Sequence, residues 1–111
     1  MLVLETLHDL PRPVDALRAA RATVAPDGAV LVVDERVADR FGAPGDEVER
    51  MMYGWSVTHC LPTQMVEQPT AALGTVLRAD TVYECARGAG YATVDVLPVE
   101  NDFFRLYRLR P

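Results

Sequence analysis

Apolar and polar positions follow two different periods along the chain. Leu2-Val3-Leu4 is a short apolar run, which predicts a fully buried strand of the kind found in parallel sheets. Pro11 and Pro13 break the chain after it, and Pro13 suits the first turn of a helix, where a missing N–H loses no bond. Val14, Leu17, Ala20 and Val24 recur at helical spacing with Arg18 and Arg21 turned outward, which predicts a helix from Val14 to Ala25. Pro26-Asp27-Gly28 stops it. Ala29 to Val33 is a second apolar, β-branched run, ending in Asp34 and Glu35. Strand, helix and strand within about 35 residues make a βαβ unit, whose crossover is nearly always right-handed.

The loop from Arg36 to Gly45 is rich in charge, and Asp46 is placed to cap the next helix. Val48, Met51, Met52 and Trp55 fall on one helical stripe. Pro62 and Pro69 predict irregular chain from His59 to Pro69. Thr81-Val82-Tyr83-Glu84 has the form of a capping box, with Asp80 as a competing cap. Val82, Cys85, Ala86 and Ala89 form the buried face of that helix, and Gly90 ends it. Thr93 to Val99 alternates as a strand, Glu100-Asn101-Asp102 turns, and Phe103 to Leu109 returns as the second arm of a β-hairpin. The fold class is therefore α/β with a mixed sheet, its last strand antiparallel to its partner. Residues 1–111 make one domain, with 36–78 as a helical and loop insertion.

Composition narrows the partners. The 16 acidic residues outnumber the 11 basic ones for a net charge of -5, which disfavours a nucleic-acid backbone or an anionic membrane. No apolar run is long enough to span a bilayer, and Met1 to Leu4 is followed at once by Glu5, His8 and Asp9, unlike a signal peptide. Cys60 and Cys85 form no CxxC pair, so a reducing cytoplasm is the expected location. His59 and Cys60 lack further ligands at metal spacing, so no metal site is expected.

The order of these segments resembles the C-terminal half of a class I S-adenosylmethionine-dependent methyltransferase. The resemblance is carried by Leu7-His8-Asp9-Leu10 after the first strand and by Leu17-Arg18-Ala19-Ala20-Arg21 in the helix. Pro26-Asp27-Gly28 stands where that family usually has Pro-Gly-Gly, followed by Ala29 to Glu35. The helix ending Gly88-Ala89-Gly90-Tyr91 and the closing hairpin also match. The resemblance implies a partial Rossmann-like sheet that begins at the family's fourth strand. It also implies S-adenosylmethionine as methyl donor and a small-molecule acceptor. The family grips the donor with a Gly-rich loop; here the seven glycines are scattered, so this chain alone is expected to bind it weakly or not at all.

On that reading His8 is the general base, beyond the carboxyl end of a parallel strand where open α/β sheets place their ligands, and Asp9 orients it. A histidine here that only bonds backbone or caps the helix is the plainer reading. The resemblance places Glu5 and Thr6 beside the methionine part of the cofactor; a solvated strand end is the plainer alternative. Asp34 and Glu35 share the same edge. Trp55 and His59, in the insertion, are expected to cover the substrate, against the plain reading of a core stripe. Residues 2–5 are expected to leave an open edge through which the chain self-associates or pairs with another polypeptide. The rival to an enzyme fragment is a non-catalytic half-domain that serves as a binding or dimerisation module.

Overall fold

Leu2, Val3 and Leu4 pair in parallel with Leu31, Val32 and Val33, as the βαβ pattern requires. A computed structural model describes residues 1–111. It contains β1 (Leu2–Leu4), α1 (Pro13–Thr23), β2 (Val30–Glu35), α2 (Glu47–Trp55), α3 (Leu61–Met65), α4 (Ala79–Gly88), β3 (Thr93–Val96) and β4 (Phe104–Arg110). A single 3-10 turn, Leu7–Asp9, follows β1, and a π-helical turn, Ser56–Cys60, joins α2 to α3. No helix is long and apolar enough to cross a membrane.

The four strands form one mixed sheet in the order β1-β2-β4-β3. The hairpin brings β4 back between β2 and β3, antiparallel to both. The strand period decides which side chains meet the helices. Val30 and Val32 of β2, with Tyr107 and Leu109 of β4, join Leu17 and Ala20 of α1 and Val82, Cys85, Ala86 and Ala89 of α4 in one buried core. The alternate residues Leu31, Val33, Phe104 and Leu106 are only half-buried, so the opposite face of the sheet carries an apolar stripe with no helix seated on it.

Several expectations change. Leu2 and Leu4 are not fully buried; both are more than half exposed, because β1 has a neighbour on one side only. Residues 59–65 are helical rather than irregular: Pro62 lies in the first turn of α3, where its ring is tolerated. Asp46 does cap α2, accepting from the Glu49 N–H at 2.7 Å. The buried stripe beyond it is Glu49, Met52, Ser56 and Cys60, whereas Met51 and Trp55 are exposed. Glu49 is inside because Arg78 reaches it at 2.6 Å. The Thr81–Glu84 capping box does not form: α4 starts earlier, after Arg78, with no side-chain cap. The turn between the hairpin arms is longer than three residues, and Asn101 Oδ1 organises it by accepting from the N–H groups of Phe103 and Phe104, each at 2.9 Å. The Tyr107 side chain, hydroxyl included, is buried in the hairpin's packing against the helices.

Candidate functional site

The carboxyl ends of β1 and β2 lie side by side because the strands are parallel and in register. The turn after β1 carries His8 back over the end of β2, where the ring is almost wholly buried. His8 Nδ1 stands 2.7 Å from Asp34 Oδ1 and 3.1 Å from Glu35 Oε2. The backbone N–H of His8 also reaches Asp34 Oδ2 at 3.4 Å, and Asp34 Oδ1 accepts from the Glu35 N–H at 3.0 Å. The carboxylate that orients the ring is thus Asp34. Asp9 Oδ1 lies 3.4 Å from Nε2 but takes part in no hydrogen bond.

These contacts set the proton. Burial alone would strip it from His8; the hydrogen bonds and charge of Asp34 and Glu35 outweigh burial and push the ring's pKa up from 6.5 to about 11. At neutral pH the group is an imidazolium. Burial also raises the Glu35 carboxyl; the imidazolium pulls it down, the neighbouring Asp34 pushes it up, and the net direction is upward. The cluster therefore holds protons more firmly than the same groups would in water.

An open cleft of about 410 Å³ faces this cluster, lined by Glu5, His8, Asp9, Glu35, Trp55, His59, Cys60 and Thr75. The insertion supplies its far wall. Gln64, buried in α3, donates its amide N–H to the His8 carbonyl and fixes the insertion against the turn. Gly74 has a left-handed backbone (φ +68) and sits so close to Ser56 that a Cβ would stand 2.2 Å from its Oγ. That approach lets the Thr75 N–H reach Ser56 Oγ at 3.2 Å and brings Thr75 to the cleft wall. Glu5, at the lip, holds φ +47, a conformation L-residues seldom adopt.

Five of the six residues singled out from the sequence, Glu5, His8, Asp9, Trp55 and His59, line this one cleft. Thr6 does not: its hydroxyl turns back to the Leu4 carbonyl at 2.6 Å, and the residue lies on a groove between β1 and α1. Thr75 and Gln64 carried no signal in the sequence, since neither belongs to a periodic stripe or motif. Glu35 was visible as a strand-end acid, but its approach to His8 was not. Compared with known protein families and with curated proteins, the chain matches none.

Proposed function

We propose that this chain is the acceptor-binding half of a class I S-adenosylmethionine-dependent methyltransferase sheet, and that the cleft receives a small-molecule methyl acceptor. The observation that carries the reading is topological. A parallel β1-α1-β2 unit sits at the edge of a mixed sheet closed by a reversed hairpin, and the cleft lies beyond the carboxyl ends of its two parallel strands.

S-adenosylmethionine would supply a methyl group on a positively charged sulfur. The residues present do not make a grip for it. No glycine lies between β1 and α1, and of Glu5 and Thr6 only Glu5 lines the cleft. No step through the donor is therefore derived from this chain. The chain's own groups act on the acceptor. A charged His8 is a hydrogen-bond donor in the resting cleft and poorly suited to accept a proton at neutral pH. Glu35, its carboxyl raised by burial and its Oε2 3.1 Å from the His8 ring, is the group suited to take one. The general-base role expected for His8 passes on this reading to Glu35, with His8 as its fixed counter-charge.

The open side of β1 is the second part of the proposal. Met1 O and the Glu5 N–H point to β2, bonding Leu31 and Val33, so the intervening Leu2 and Leu4 turn their N–H groups outward. A polypeptide that adds a strand there completes the sheet. The non-catalytic alternative uses the same edge without the cleft. Isothermal titration of the chain with S-adenosylmethionine tests the reading: we expect no saturable micromolar binding, and stoichiometric tight binding would show a complete donor site and refute it.

A further inference from the structure

We infer that the open edge of β1 is filled by a second copy of this chain, paired antiparallel about a two-fold axis at Val3; this names the partner for the open edge of the proposed reading and rests on that part of it. The backbone carries the argument. Val3 belongs to the parallel ladder with β2, and Met1 O and the Glu5 N–H bond the same neighbour on either side of it. Leu2 and Leu4 therefore each turn an N–H and a C=O outward. These groups flank Val3 symmetrically. A two-fold axis at Val3 sets Leu2 opposite the partner's Leu4 and Leu4 opposite the partner's Leu2. Each such pair exchanges both N–H···O bonds, the bonded pairing of antiparallel strands. Every outward N–H and every outward carbonyl of the two edges then has a partner. The Leu4 carbonyl already accepts from the Thr6 hydroxyl at 2.6 Å and keeps a second lone pair for the new bond. Shifting the axis to Leu4 loses half of these bonds, because Glu5, at φ +47, turns the chain out of the strand.

Both faces of the sheet accept that partner. Leu2 and Leu4 share a face with Leu31 and Val33, and Val3 shares the helical face with Val32. On the first face the exposed Leu2 and Leu4 meet their copies as cross-strand pairs and join two half-covered apolar stripes into one. On the helical face a groove of about 400 Å³ runs between β1 and α1, with Ala16, Ala19 and Thr23 on its helix side and no charged residue in its lining. Neighbouring strands stand about 4.8 Å apart, so α1, seated over β1 and β2, lies roughly two strand spacings, or about 10 Å, from its copy. Packed helices sit about 8–10 Å apart, and small facing side chains permit that approach. The two walls close without burying a charge, although each chain carries a net charge of -5. Glu5 falls opposite the partner's Met1 and not opposite its own copy, so no like charges face each other across the strands. The two-fold closes the assembly as a dimer whose sheet runs unbroken from one β3 to the other.

The test is cysteine cross-linking of the full chain, beside its mass in sedimentation equilibrium. Val3 meets its own copy in a non-bonded pair with Cα atoms about 4.5 Å apart, within reach of a disulfide. Leu2 and Leu4 each lie about 8 Å from their own copies across the diagonal, too far to bridge. Cys60 and Cys85 are buried and present in every variant, so the wild type gives the background. Diamide should convert most of Val3→Cys to a species of twice the chain mass that dithiothreitol reverses. Leu2→Cys and Leu4→Cys should stay at the wild-type background. The mass of the wild-type chain should rise with concentration and level off at two chains. Cross-linking of Leu2→Cys or Leu4→Cys to the extent of Val3→Cys would overturn the inference. So would a mass that climbs past two chains, or one that rises while Val3→Cys stays uncross-linked; in these cases the edge remains a pairing surface. A chain that is monomeric throughout overturns both the inference and the open-edge part of the proposed reading, and the cleft is judged separately by the titration with S-adenosylmethionine.

Discussion

His8 keeps its proton because two acids from the end of the neighbouring strand surround it. Replacing it with Gln leaves Asp34, 1% exposed, without its counter-charge, which we expect to cost roughly 3 kcal/mol in chemical denaturation. The pH dependence comes from the direction of the shifts. An unfolded histidine releases its proton near 6.5, whereas folded His8 holds it to about 11, so its stabilisation is complete below 6.5 and drains away as pH climbs through about 11. Glu35 acts in the same sense. Its raised carboxyl makes ionisation unfavourable in the fold, and that penalty builds as pH rises past 4.5. Denaturation curves of wild type and His8→Gln should therefore converge toward alkaline pH, and curves that stay parallel would contradict the ion-pair account. At this scale the sequence showed the strand-end positions themselves, His8 after the first apolar run and Asp34 and Glu35 closing the second, the acids reading most plainly as a solvated strand end. Which acid meets the imidazole was not legible, because Asp9 is adjacent in sequence while Asp34 arrives only through the parallel pairing of β1 with β2.

The helical insertion shows what element-level patterns miss. Val48, Met51, Met52 and Trp55 share helical spacing, yet the buried stripe runs through Glu49, Met52, Ser56 and Cys60. Two polar residues lie inside because they have partners from distant segments: Arg78 for Glu49, and the Thr75 N–H for Ser56. Hydrophobicity alone ranks them as surface. The predicted break at Pro62 failed because the π-helical turn at Ser56–Cys60 leads straight into a new first turn. By contrast β2, α1 and the core face of α4 were readable, since their apolar residues bury directly against one another. The Gly74 contact that seats this insertion gives a sharp prediction. Gly74→Ala introduces both a left-handed alanine and a clash with Ser56 Oγ, and should lower stability by about 2 kcal/mol in thermal or urea unfolding. Adding Ser56→Gly removes the clashing oxygen and should restore part of the loss; an unchanged Gly74→Ala transition would refute the close approach.

As a whole the molecule is a sheet with α1 and α4 on one face and an apolar stripe on the other. Parallel strands normally occur with both faces covered. Here Leu31, Val33, Phe104 and Leu106 lie on the less covered side, and exposed Leu2 and Leu4 sit at the open edge beside them. The open edge was expected from the resemblance alone, which implies that β1 lacks the strand beside it, and the sheet order does leave β1 with a neighbour on one side only. The half-covered face was not, since the number of helices gives no account of the side on which they pack. Edge and face together make pairing with another chain the property on which the whole account rests. Light scattering coupled to size exclusion over a range of concentrations tests it directly. The account predicts a mass that rises with concentration, and a smaller rise in Leu2→Pro, which removes an outward N–H without breaking the β1–β2 ladder. A monomer that holds its mass at the highest concentration, in wild type and variant alike, would contradict it.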